Sequence, residues 1–217
     1  MKKLLITGAS GMMGSDIVPI LEKGFKVYPT DKDTLDIMRE EDIDSFFKRV
    51  DPDWVIHLAA LTDLEFCERN PEIADKVNGE ATASIARHCK KYGKRLVYVS
   101  TSGVFSGSKK TPYTEEDDPH PVTAYGKSKF AGEKYLAGIL EREQYMILRA
   151  GWLFGGGSRD KKFVGKMFNL MSRLDAVRVV GDIVGSPDYS SDIGHLMTFL
   201  LNKEAYGLFH AVNEGVA

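Results

Sequence analysis

The sequence predicts an α/β chain built on a doubly wound parallel sheet, and three observations carry that prediction. Apolar runs of strand length alternate with longer amphipathic stretches, which implies right-handed crossovers. The first run, Lys3 to Thr7, breaks into Gly8-x-x-Gly11-x-x-Gly14 and continues into a helical stretch. Asp31 stands at the end of the next apolar run, Phe25-Lys26-Val27-Tyr28.

Taken in order, strands are expected near 3–7, 25–28, 54–58, 95–100, 145–149, 177–180 and 207–211. Helices are expected near 12–23, 40–49, 71–91, 123–142, 161–173 and 190–202. The glycine turn leaves free N–H groups at a helix N-terminus, where the helix dipole favours a phosphate. Gly8 serves the tight turn, Gly11 the approach of a pyrophosphate and Gly14 the close packing of helix on strand, with Ser10, Met12 and Met13 between them. Pro19 is expected to kink the first helix or mark its weak point.

Asp31 fits a carboxylate that accepts from adenosine ribose hydroxyls; an aspartate in an ordinary turn is the competing reading. Asp36 has two readings as well, an adenine contact with Ile37 packed on the ring, or a helix cap. After the third strand, Ala59-Ala60-Leu61-Thr62 offers small residues at a carboxyl end, where ligands bind in such sheets. His57, just before it, reads as a core histidine. The stretch 106–121 holds three of the eight prolines and an acidic run, and reads as a surface loop.

The fourth strand carries Val99 and ends in Ser100-Thr101. Tyr125 and Lys129 then stand four apart on a helix and share a face. An unperturbed phenol with a pKa of about 10 is a poor proton donor at neutral pH. A neighbouring ammonium is expected to lower it, and Thr101 to share the bond to a substrate oxygen.

Bulk properties bound the rest. The chain has 217 residues, 43% hydrophobic and 28% charged, enough for one sizeable domain. With 29 Lys and Arg against 31 Asp and Glu the net charge is -2, so no nucleic-acid or membrane partner is indicated. Cys67 and Cys89 have no metal-ligand spacing, no metal is expected, and a reducing cytoplasm suits them. No apolar run reaches the roughly 20 residues that span a bilayer.

Together the motifs resemble the extended short-chain dehydrogenase/reductase superfamily. Its marks are Thr-Gly-Ala-x-Gly-x-x-Gly at 7–14, His-Leu-Ala-Ala at 57–60, Asn78, Ser100-Thr101, and Tyr125 with Lys129. The likeness is strongest to the dTDP-4-dehydrorhamnose reductase family. Pro29-Thr30-Asp31, Leu35-Asp36-Ile37, Cys67-Glu68-x-Asn70-Pro71, Leu148-Arg149-x-x-Trp152-Leu153-Phe154-Gly155 and Val179-Val180-x-Asp182-x-x-Gly185-Ser186-Pro187 carry it.

The resemblance implies an NAD(P)-binding Rossmann domain over 1–150. Residues 151–217 would then hold the last sheet strands and a small or truncated substrate lobe. It implies that Asn78 supports the active-site backbone and a relay water, and that Trp152, with Thr101 and Ser102, faces the sugar; a core tryptophan is the other reading of Trp152. NAD(H) is favoured, and Lys32 beside Asp31 admits NADP(H). The implied partner is a nucleotide sugar of dTDP-rhamnose biosynthesis, and a homodimer is compatible with the likeness.

Three departures bear on the substrate. Ser102-Gly103 replaces the family's Asp-Tyr after Thr101. Ser186 to Asp192 lacks the family's arginine. The chain ends at Ala217 where family members continue, so a truncated chain or a minimal lobe stays open. On that basis the chain is expected to fold and bind NAD(H) but to hold a sugar nucleotide weakly. Three activities follow: reduction of a 4-keto nucleotide sugar, epimerisation by a related enzyme, or dinucleotide binding by a non-catalytic regulatory subunit. Dehydration would need an acid–base pair that Ser102-Gly103 cannot supply.

Overall fold

The structure is a computed structural model that describes residues 1–217. Six parallel strands form the central sheet: β1 (Lys3–Thr7), β2 (Lys26–Thr30), β3 (Trp54–His57), β4 (Arg95–Thr101), β5 (Tyr145–Ala150) and β8 (Gly207–Ala211). Their order is β2-β1-β3-β4-β5-β8. The chain leaves β1 in one direction and returns on its other side, so the winding reverses between β1 and β3. Ligands bind in the crevice at such a reversal.

Helices α1 (Met12–Leu21) and α8 (Ser190–Asn202) cover one face. Here Leu4, Ile6, Ile17, Leu21, Ile193 and Met197 share a core with Trp54 and Val97. On the other face lie α2 (Glu40–Val50), α5 (Ala81–Tyr92) and α6 (Ala124–Ile139), packed on Leu5, Val55, Leu96, Tyr98 and Ile147. Alternate residues of β1 thus enter opposite cores, as a strand of period two requires. In α2, Ile43, Phe47 and Val50 form the buried stripe, with Glu40 and Glu41 in the first turn and Lys48 and Arg49 in the last, the order the helix dipole favours. Helix α5 stops at Gly93, whose φ of 63° a glycine adopts without strain.

Several expected boundaries differ. The helix expected over 71–91 is divided into α4 (Pro71–Asp75), a π-helical turn (Lys76–Glu80) and α5, and a short α3 (Leu64–Arg69) precedes it. No strand forms at 177–180; Val179 and Val180 are exposed and pair with neither sheet. Instead β6 (Trp152–Phe154) and β7 (Pro187–Tyr189) pair in parallel as a small second sheet. Helix α7 (Phe163–Met171) lies between them in sequence. Pro19 is tolerated near the end of α1, which stops two residues later. The segment 106–121 is irregular and largely exposed, as expected of a surface loop. No helix is long and apolar enough to cross a membrane.

His57 is a core histidine. It is buried, its Nδ1 lies 2.7 Å from Thr7 Oγ1, and its ring stacks on Tyr98. Burial, with the Lys129 charge nearby, lowers its pKa to about 3. Because the folded value lies below the unfolded one of about 6.5, the stability is full above that pH and is lost as pH falls towards the folded value. His57→Asn should therefore flatten the acid limb of stability by up to ~1.4 kcal/mol per pH unit. Urea unfolding of both proteins between pH 7 and pH 4 measures this, and parallel limbs would remove His57 as the cause.

Candidate active site

The glycine turn connects β1 to α1. Gly8 has φ 70°, and a Cβ there would come within 2.7 Å of Ala59 N. A Cβ on Gly14 would lie 2.4 Å from Ala9 O. Both glycines are therefore required by backbone contact, Gly14 for packing the helix start on the turn at Ala9 rather than on the strand itself. Gly11 is exposed and caps α1 with no side-chain acceptor, and the N–H groups of Met12, Met13 and Gly14 have no backbone partner. Three free donors at a helix N-terminus form an anion cradle.

Asp31 follows β2, and its carboxylate accepts from Ser10 N at 3.0 and 3.2 Å. It braces the glycine turn and keeps lone pairs free for a hydroxyl. Asp36 is not a helix cap: α2 begins after Arg39, and Asp36 Oδ1 accepts from Met38 N at 3.0 Å in a local turn. Ile37 is buried in the α2–α5 core, which leaves little of it to pack on a ring. Ala59, Ala60 and Leu61 are half-buried and Thr62 is exposed, directly after β3. Val99 belongs to the core beneath the turn, so its side chain packs protein rather than lining the crevice.

Asn78 lies on the π-helical turn and is buried, which excludes a surface asparagine. Its Oδ1 accepts from Leu61 N, and its Nδ2 donates to Leu61 O and Ser128 Oγ, at 2.8, 2.9 and 3.0 Å. Both amide hydrogens are thus engaged by protein, and Asn78 fixes the backbone after β3 rather than contacting a cofactor directly. Such turns recur where a helix must present one side chain off its regular period.

Thr101 ends β4 and accepts from Gly103 N at 3.1 Å, opening a short 3-10 turn from Ser102 to Val104. Helix α6 starts against that turn: a Cβ on Gly126 would lie 2.2 Å from Gly103 O. Thr123 caps the helix through Gly126 N, while Glu68 Oε1 accepts from Ala124 N. Ser128 Oγ donates to Tyr125 O at 2.8 Å. These contacts bring Tyr125 to Thr101. Burial raises the Tyr125 pKa to about 12, and the Thr101 hydroxyl beside it pulls the other way.

Lys129 departs from expectation. It is 2% exposed, and its Nζ sits 4.1 Å from the centre of the Tyr98 ring. Burial lowers its pKa to about 7; Glu133 opposes this and Lys162 adds to it. The expected depression of the Tyr125 pKa is not seen: burial raises it, and the one opposing group is the Thr101 hydroxyl, not Lys129. Trp152 is 42% exposed on β6 and rests on Gly185, so it is not a core tryptophan. It stands two residues beyond Ala150, which pairs with Thr101 in register. Ser102 is exposed in the turn.

Two contributions were missed from sequence. Cys67 is buried against Leu61 O and lies close enough to Tyr125 to raise its pKa slightly. Asp16 on α1 accepts from Gly156 N at 2.7 Å and from Ser190 Oγ. The run Gly155-Gly156-Gly157 was the available signal for the second.

The family description "RmlD substrate binding domain" matches residues 1–217. The chain is 32% identical over 217 residues to a spore coat polysaccharide biosynthesis protein, SpsK, of Bacillus subtilis, covering 100% of this chain and 75% of that one. It is 35% identical to a dTDP-4-dehydrorhamnose reductase of Streptomyces griseus, covering 97% and 70%. Among solved structures, the dTDP-4-dehydrorhamnose reductase of Bacillus anthracis in complex with NADP superposes with a TM-score of 0.93 at 32% identity. That match covers 100% of this chain and 76% of that chain. With its glycine turn, Thr101 and Tyr125 set at the carboxyl ends of a matching sheet, the chain belongs to the RmlD substrate binding domain family.

Proposed function

We propose that the protein is a nicotinamide-dinucleotide-dependent reductase of a 4-keto nucleotide sugar, of the kind its relatives are named for. The observation that carries this reading is Tyr125 held at Thr101, on the same carboxyl edge of the sheet as the anion cradle after β1. The cofactor when bound supplies the hydride to the keto carbon. Met12, Met13 and Gly14 donate to its pyrophosphate, and Asp31 accepts from its ribose.

Tyr125 keeps its proton far above neutral pH, which suits a group that must donate to the carbonyl oxygen as charge develops there. Thr101 shares the bond to that oxygen. Lys129, poised near neutrality, is available to hold ribose hydroxyls. Trp152 and Ser102 line the sugar side. The free, buried cysteines Cys67 and Cys89 support a cytoplasmic setting.

The test is oxidation of NADH or NADPH dependent on a dTDP-4-keto-6-deoxy sugar, with the 4-hydroxy sugar recovered as product. Cofactor retained without net oxidation would point to epimerisation, and no turnover on any keto sugar to a regulatory role. Asp31 repels a 2′-phosphate, so wild type should bind NADH tighter than NADPH. Asp31→Ala should weaken both, through loss of its bond to Ser10, while narrowing the difference. Titration of both cofactors measures this; clearly tighter NADPH binding by wild type would refute the preference.

A further inference from the structure

Both strands of the small sheet end at one carboxylate. β6 runs straight into Gly155 and Gly156, and β7 runs straight into Ser190. Asp16 Oδ2 accepts from Gly156 N at 2.7 Å and from Ser190 Oγ. A Cβ on Gly155, whose φ is 139°, would overlap that oxygen and the Ser190 hydroxyl. Gly156, at φ 67°, lies on the first residue of α1, where a Cβ would come within 2.8 Å of Met12 O. Thus a residue one turn along the helix that follows the glycine turn fixes the carboxyl ends of β6 and β7. At the other end of β6, Trp152 leans on Gly185 without burial, so its direction depends on how the strand pair is anchored.

We propose that Asp16 is a positioning residue for the sugar substrate: it sets the small sheet, and with it Trp152, against the start of α1. This rests on the reductase reading for its kinetic arm alone. Asp16 touches none of the reacting groups and acts through Gly156 and Ser190.

The experiment compares wild type with Asp16→Ala, Asp16→Asn and Ser190→Ala. Asp16→Ala removes both bonds, and an asparagine oxygen can accept both. With a dTDP-4-keto-6-deoxy sugar, Asp16→Ala should lower kcat/KM by about 10-fold or more, carried by KM with kcat little changed. Ser190→Ala should move KM the same way by less, and Asp16→Asn should restore it. Cofactor dissociation constants should stay at the wild-type value. A second readout needs no turnover: Trp54 is fully buried, so acrylamide quenching reports Trp152. Quenching should rise in Asp16→Ala and return in Asp16→Asn.

A loss of kcat alone would mean a smaller folded fraction and would overturn the proposal, as would failure of asparagine to rescue. If wild type does not reduce the sugar, the reductase reading fails and quenching decides: a rise reversed by asparagine upholds the positioning role, and no rise overturns it.

Discussion

Tyr125→Phe lowers turnover on the keto sugar by about 10²–10⁴-fold, the range for loss of a positioned general acid, and leaves cofactor affinity close to wild type. The substitution keeps the ring that fills the space beside Thr101 and removes the proton. Ser128 bonds the Tyr125 backbone, not the phenol, and the contact of Gly126 with Gly103 O is main chain, so the helix start stays in place. Deletion of the proton donor thus appears in kcat and kcat/KM together. Single-turnover reduction with saturating cofactor separates this from slow product release. A variant that reduces the sugar at the wild-type rate would remove Tyr125 from proton transfer and leave Thr101 or solvent as the donor.

The second large effect is on stability. Glu133 and Arg149 form a buried ion pair with two bonds, Nε to Oε1 at 3.0 Å and Nη2 to Oε2 at 2.7 Å. Ser100 Oγ donates to the same carboxylate, and Arg149 lies over the Phe105 ring. Arg149 Nη1 already lacks a partner. Glu133→Ala strands the guanidinium in the interior, at about 3–5 kcal/mol for breaking such a pair. For a domain of this size that lowers Tm by on the order of 10 °C. Replacing both partners together, Glu133→Leu with Arg149→Met, should recover most of the loss, because no unpaired charge remains. Denaturant unfolding of Glu133→Leu, Arg149→Met and the double completes the cycle. A loss below about 1 kcal/mol in Glu133→Ala would place the pair among exposed ones in its energetics.

What the sequence disclosed follows its physics. The main sheet was legible because each buried parallel strand is a short apolar run, and the glycine turn because Gly8 and Gly14 have backbone where a side chain would stand. Tyr125 and Thr101 could be brought together because a helix start and a strand end are recognisable locally. The small sheet was not legible: Trp152–Phe154 and Pro187–Tyr189 are three residues each, too short for a period, while the valine-rich 177–180 pairs with no strand. The π-helical turn is equally silent, since one shifted hydrogen bond leaves composition unchanged. Lys129 shows another limit. Spacing placed it on the face of Tyr125, but only packing reveals that its Nζ sits on the Tyr98 ring and that burial sets the phenol's pKa.

The contact of Gly126 with Gly103 O has a bearing on how the protein can change. It joins the start of α6 to the 102–104 turn main chain to main chain, so the side chains at 102 and 103 do not set their spacing. A Cβ on Gly103 itself would meet Thr101 Oγ1 at 3.4 Å, an ordinary contact. Residues 102 and 103 can therefore vary without moving Tyr125, whereas position 126 admits no side chain at all. Change at 102 and 103 is thus uncoupled from the placing of Tyr125, which makes these two positions the natural ones to diversify in a library and Gly126 the residue to leave untouched.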